Sequence, residues 1–135
     1  MLDHPVTGDM LFSMRELECK LSRTVKLDRR FQNALVKLRV AFDRPMSVNS
    51  CCRSWEHNKA EGGHIRSLHV YDEPFHDTRG AMAIDIRTPN SKYAYELCFL
   101  AMRHEWAVGY NAGFLHLDRR VDLGMGLNLI PTAVA

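Results

Sequence analysis

Residues 81–86 (AMAIDI) and 113–118 (GFLHLD) constrain the fold more than any other feature, because both alternate between large apolar side chains and small or polar ones. Successive residues of a strand point to opposite faces. Met82, Ile84 and Ile86 therefore belong to one face of a half-buried strand, and Ala81, Ala83 and Asp85 to the other. In the second stretch Leu115 and Leu117 share one face, and Phe114, His116 and Asp118 share the opposite one. Strands usually exclude aspartate. A carboxylate beside two methyl-sized side chains is the floor expected beneath a ligand, although a solvated aspartate near a strand end has the same pattern.

Residues 51–86 add Arg53, His57, His64, His69 and His76 and a Ser67-Leu68-His69 triplet. Two histidines and one carboxylate form a catalytic zinc set with a fourth position left for water. Cys19, Cys51, Cys52 and Cys98 contain no C-x-x-C pair, which excludes a zinc ribbon or a thioredoxin-type motif by spacing. Free, mostly buried thiols are the expectation. A cysteine nucleophile paired with His57 or His69 is the competing chemistry, and it predicts sensitivity to thiol reagents rather than to chelators.

The remaining elements surround this region. Ser13 followed by Glu16 has the spacing of a capping box and predicts a short helix within residues 12–19. Leu27, Phe31, Leu35, Leu38 and Phe42, with Ala34 beside them, recur every three or four residues and predict one buried helical face over residues 27–42, closed by Pro45. Residues 46–52 read as a strand that presents Arg53, and residues 58–66, with Gly62-Gly63, read as a loop. His57-Asn58 is assigned to the same irregular stretch. Residues 91–105 predict a helix capped by Ser91, with Tyr95, Cys98, Phe99, Met102 and Trp106 along one side and packed on the sheet. Residues 107–110 and 114–118 predict two strands joined by a tight turn that returns His116 toward Asp85. The tail from residue 123 onward suggests a final strand and a loosely held end.

A length of 135 residues, 46% apolar and 25% charged, suits one domain spanning residues 1–135. A formal charge of +2 with acids and bases interspersed provides no nucleic-acid footprint. No apolar run reaches the roughly 18 residues a membrane-spanning helix needs, so no stable membrane insertion is expected. The first ten residues lack the apolar region of a signal peptide, which predicts cytoplasmic synthesis.

Taken together, residues 12–19, the helical stretch 27–42, Arg53-Ser54, Glu56-His57-Asn58, Gly62-Gly63, Ser67-Leu68-His69, Ala83-Ile84-Asp85-Ile86 and His116-Leu117-Asp118 resemble, in order and combination, the M15 zinc peptidases. More closely, they resemble the short single-domain forms of bacteriophages and prophages. The resemblance implies an α+β fold, a small antiparallel sheet with packed helices, of the Hedgehog/DD-peptidase-like type. It implies hydrolysis of peptidoglycan stem peptides, as a D-alanyl-D-alanine carboxypeptidase or an L-alanyl-D-glutamate endopeptidase, with a possible phage endolysin role. By the same resemblance His69, Asp85 and His116 would bind Zn2+. Arg53 would contact substrate and stabilise the developing oxyanion, with Ser67 and His57 as further substrate contacts. Without a signal peptide, such an enzyme would act in the periplasm or cell wall after release by another route, such as a phage pore protein.

Two departures from the family pattern matter. The spacer between His69 and Asp85 is longer than in most members and introduces His76 as a rival ligand; the Ser-x-His form favours His69, and leaves His76 in a loop at the cleft rim, either solvent-exposed or touching substrate. Several branches carry a glutamate three residues before the last zinc histidine, where this chain has Gly113. Asp118 is the nearest carboxylate on that face, as general base or as the group that fixes the tautomer of a ligand histidine; Glu56 and His57 are further acid/base candidates. The missing glutamate also supports an alternative, a non-catalytic zinc-containing module that binds peptidoglycan.

Overall fold

The computed structural model describes residues 1–125. In chain order the elements are β1 (Leu2–Asp3), β2 (Met10–Phe12), α1 (Met14–Leu17), α2 (Arg29–Phe42), β3 (Val48–Ser50), α3 (Trp55–Ala60), β4 (Ala83–Arg87), α4 (Ser91–Arg103), β5 (Ala107–Asn111) and β6 (Phe114–Asp118), followed by a 3-10 turn at Arg120–Leu123. β1 and β2 form a small antiparallel ribbon, while β3, β4, β6 and β5 form a four-stranded sheet in that order. All its pairings are antiparallel. The fold is therefore α+β, as the sequence predicts. The expected final strand falls mainly on residues 126–135, outside the described residues; Leu123 itself ends the 3-10 turn.

β4 and β6, the two alternating stretches, are central neighbours. Their register sets Asp85 opposite His116, Ile84 opposite Leu117 and Ala83 opposite Asp118. One residue of slip would move every polar side chain to the apolar face, so the hydrophobic alternation that secures the core also secures the polar pairing. Ile84, Ile86, Leu115 and Leu117 join Phe31, Leu35 and Leu38 of α2 and Leu97 and Ala101 of α4 in one buried cluster. α4 packs on β5 and β6 and also touches α2. β5 and β6 meet through a two-residue turn, Ala112-Gly113, in which Gly113 has a φ of 86°.

β4 is not the half-buried strand its alternation suggests: Ala83 and Asp85 are as enclosed as Ile84 and Ile86. The segment around His69 covers the second face. The Met82 amide donates to Leu68 O at 2.7 Å, and the Arg53 amide donates to His69 O at 2.9 Å.

Several boundaries differ from the sequence reading. α1 has the expected capping box between Ser13 and Glu16. α2 begins at Arg29 rather than Leu27, because Asp28 accepts the Arg30 amide as N-cap while Leu27 bridges to Ala81; a cap of this kind is worth about 1 kcal/mol. The helix stops at Asp43, in the left-handed conformation with φ 52°, before Pro45 is reached. Only Val48–Ser50 of the predicted 46–52 strand pairs regularly. Residues 55–60, which include His57 and Asn58 and were read partly as loop, form α3, with Ser54 accepting the His57 amide. Six residues are too few to display helical periodicity.

In α4 the cap is Asn90 rather than Ser91, and the inward face is Ala94, Leu97 and Ala101. Tyr95, Phe99 and Met102, expected to pack on the sheet, are 59%, 66% and 43% exposed. The two alanines let the helix lie close to the sheet, and the large side chains turn away from it. Trp106 lies beyond the helix end, fully buried and edge-on to Phe31 with centroids 5.7 Å apart.

Candidate metal centre

Asp85 projects from β4 and His116 from β6 at directly paired positions. His69 arrives from the segment before β4, which is pinned beside Arg53 by a parallel bridge between Arg53 and Val70. One ligand-capable atom from each of His69, Asp85 and His116 lies within 4.8 Å of the others, and all three residues are buried. Asp85 Oδ1 is 3.1 Å from His69 Nε2 and 2.9 Å from His116 Nδ1.

The other nitrogen of each ring decides what these atoms can do. His69 Nδ1 lies 2.7 Å from the carbonyl of Cys51, which can only accept, so Nδ1 carries a proton. His116 Nε2 lies 2.8 Å from Asp118 Oδ2, again an acceptor, so Nε2 is protonated. In the neutral rings the lone pairs are then on His69 Nε2 and His116 Nδ1, both aimed at a carboxylate oxygen. Three acceptors converging on one point require a cation or extra protons, and this donor set fits a divalent metal ion.

The electrostatics express the other way of meeting this convergence, protons on the rings. Burial opposes ionisation of Asp85, yet the charges and hydrogen bonds of His69 and His116 outweigh it and hold the carboxyl well below its usual range. Asp118 is likewise opposed by burial but lowered to about 2 by hydrogen bonds from His116 and Arg120. Burial pushes the His69 ring below its ordinary value. His116 is raised in spite of burial, through Asp118 and Asp85.

Arg53 reaches the same carboxylate, with Nη2 3.4 Å from Asp85 Oδ2. Its Nε donates to Ser50 Oγ at 3.0 Å and its Nη1 to Asn58 Oδ1 at 3.3 Å. Asn58 in turn donates to His64 O at 3.0 Å. A Cβ on Gly63 would strike the Asn58 side chain, so this contact requires glycine there.

The other residues singled out from the sequence take different places. Ser67 is buried, and its Oγ accepts the His69 amide at 3.2 Å, which shapes the turn that carries the ligand. His57 does not join the cluster: its Nδ1 is 3.5 Å from Cys19 Sγ and its Nε2 is 3.2 Å from Glu61. Cys19 is lowered to about 6, where burial is outweighed by hydrogen bonds from Ser22 and Ser54, but its side chain is fully enclosed. The four cysteines are free thiols. His76 lies on the rim of a cleft with Arg66 and Arg120, outside the metal cluster. Gly113 is at the exposed tip of the β5–β6 turn, three residues from His116.

Asp118 is fully buried and accepts four hydrogen bonds: from His116 Nε2, from the Arg120 amide at 3.0 Å, and from Arg120 Nε and Nη2 at 2.9 and 2.7 Å. With both oxygens occupied it holds His116 rather than facing solvent. Ser50, the Cys51 carbonyl and Arg120 are supporting groups that the sequence reading did not name, and Asn58, placed there in a loop, instead holds Arg53. Arg120, two residues after a candidate ligand-orienting aspartate, was the one with a visible signal.

Among the described residues no helix is long and apolar enough to cross a membrane. No curated protein and no solved structure matches this chain. The family model described as Peptidase M15 matches residues 10–121, which span every residue of the centre and of its supporting shell. A buried His-Asp-His cluster with oriented rings, inside a match covering most of the sequence, establishes that this chain belongs to the M15 peptidase family.

Proposed function

We propose that this protein is a zinc-dependent peptidase that hydrolyses an amide bond in peptidoglycan stem peptides, with His69 Nε2, Asp85 and His116 Nδ1 holding the metal. The observation that carries this reading is the convergence of two ring lone pairs and a carboxylate oxygen, with both tautomers set by fixed acceptors. Zinc bound there supplies Lewis acidity toward a carbonyl and acidifies a water toward neutral pH.

The protein's own groups have separable tasks. Asp118 holds His116 in the tautomer that exposes Nδ1, and Arg120 holds Asp118. The Cys51 carbonyl does the same for His69. Arg53, anchored by Ser50 and Asn58 and 18% exposed at its side chain, turns a planar fork toward the carboxylate-bearing side of the centre. There it can orient a peptide carbonyl and stabilise charge that develops on its oxygen, a role typically worth about 3–4 kcal/mol per donor.

The test is mass spectrometry of purified peptidoglycan and its stem peptides after incubation with zinc-loaded protein beside a chelated sample. Zinc-dependent cleavage identifies the bond, whether D-Ala-D-Ala or L-Ala-D-Glu. A second reading, a zinc-containing module that binds wall peptides without cutting them, is favoured by the saturation of Asp118 and by Gly113 at the position of the usual glutamate. Stoichiometric zinc and saturable binding without any product would establish that module and overturn the peptidase.

A further inference from the structure

Cys19 and His57, which the metal centre does not use, form a second cluster of reactive groups with Ser54 and Glu61. His57 Nε2 lies 3.2 Å from Glu61 Oε1, and a carboxylate can only accept, so the ring proton of the neutral imidazole sits on Nε2. The Nδ1 lone pair then faces Cys19 Sγ at 3.5 Å. The sulfur also accepts the Ser54 amide at 3.3 Å and the Ser22 amide at 3.5 Å, with Ser54 Oγ 3.7 Å away. A thiol, a base within reach of its proton and a carboxylate that orients the base are the parts of an activated nucleophile. The two amide donors stabilise the charge left on sulfur.

No other thiol among the described residues has an imidazole within hydrogen-bonding distance. Burial raises Cys51 and Cys98, and Cys52 Sγ faces the Lys26 carbonyl at 3.6 Å, a contact that needs the thiol proton. Burial also opposes charge on Cys19, but hydrogen bonds from Ser22 and Ser54 outweigh it and bring the thiol to about 6. Cys19 is fully enclosed, yet its sulfur touches Ser22 within a turn of exposed residues, 20–24, and the His57 side chain is 15% exposed. A reagent little larger than water therefore suits this site better than a bulky one, and His57 gives the proton a route to solvent.

We propose that Cys19 is a hydrogen-peroxide-reactive site in which His57 carries the proton. His57 Nδ1 takes the thiol proton, the sulfur attacks the near oxygen of the peroxide, and an S–O bond forms as the O–O bond breaks. The leaving hydroxide takes the proton from Nδ1 and departs as water. Sulfur is oxidised by two electrons to a sulfenic acid, and the peroxide is reduced by the same two. This chemistry is independent of the peptidase reading.

The test treats zinc-loaded protein with hydrogen peroxide for increasing times, removes the peroxide with catalase, and unfolds the chain in iodoacetamide. Peptide mass spectrometry then gives the thiol remaining at each cysteine, whatever the oxidised product. Cys51 is as enclosed as Cys19 and Cys98 is partly exposed, so the two control for access. Cys19 is expected to be lost at least about tenfold faster than either. His57→Gln should slow Cys19 at least about tenfold and leave Cys98 unchanged. A Cys19 rate equal to that of Cys51 would mean reaction only through unfolding, and a rate no higher than that of Cys98 would mean no activation; either would overturn the site. An unchanged Cys19 rate in a folded His57→Gln variant would overturn it as well. Should that variant fail to fold, the comparison of the three thiols in the unsubstituted protein decides by itself.

Discussion

Asparagine in place of Asp118 tests whether the second layer of the centre sets the chemistry of the first. The carboxylate accepts from His116 Nε2, from the Arg120 amide, and from Arg120 Nε and Nη2. Every partner is a donor. An amide can present only one oxygen, so its NH2 must face either the His116 ring together with Arg120 Nη2, or the Nε and backbone amide of Arg120. In the first orientation the ring can satisfy the NH2 only by giving up its Nε2 proton, and the neutral imidazole then carries its proton on Nδ1, the atom aimed at Asp85. In the second, the Nε and backbone donors of Arg120 are opposed; in both, the ion pair to Arg120 is lost. Groups that orient ligand histidines typically contribute 10–100-fold in metal affinity, and the Asp118→Asn variant should bind zinc weaker by about that factor, or about 1.4–2.8 kcal/mol. Competition against a chromophoric chelator measures the zinc dissociation constant directly, with circular dichroism of the metal-free protein as a check on folding. Zinc affinity within twofold of the unsubstituted protein, in a folded variant, would refute the positioning role. If turnover were abolished at the same time, Asp118 would be assigned as general base instead.

Other substitutions probe separate parts of the structure. Arg53→Ala should lower turnover about 10²–10³-fold while zinc content, read by elemental analysis, stays stoichiometric; wild-type turnover would exclude Arg53 from the reaction. His76→Ala should retain stoichiometric zinc and His69→Ala should lose it, and the reverse result would exchange the two as ligands. Gly80→Ala should destabilise the fold by at least about 1–3 kcal/mol in urea denaturation, since Gly80 has φ 131° and an added Cβ would press on the backbone of Leu27 and Asp28. Asp28 is lowered, against burial, by Arg30 and the Arg79 amide. Its contribution is therefore present above the unfolded carboxylate value near ~3.9 and lost as pH falls through the folded one. Asp28→Asn should cost about 1–2 kcal/mol at pH 7, and its stability should approach that of the unsubstituted protein as pH falls through the folded carboxyl's value; a constant gap would remove Asp28 from the acid limb.

The sequence by itself determined the period-two stretches, hence the central β4–β6 pair, because a one-residue slip would turn Ile84, Ile86, Leu115 and Leu117 onto the face that carries Asp85 and His116. It also determined the grouping of His69, Asp85 and His116 through the family pattern, and the buried face of α2, where Phe31, Leu35, Leu38 and Phe42 recur with helical spacing. α3 was beyond it, since six residues show no period and the Ser54 cap is a single contact. The inward face of α4 was misread because large side chains suggested the core, whereas the close approach of helix to sheet selected Ala94 and Ala101. Only the tertiary structure decided which nitrogen of each histidine is free. That depends on a backbone carbonyl at Cys51 and on an Asp118–Arg120 pair, and a carbonyl leaves no trace in residue identity. Hydrophobic periodicity is a local property and survives in the sequence, whereas polar satisfaction is a pairwise property of groups far apart in the chain and exists only once the chain has closed on itself.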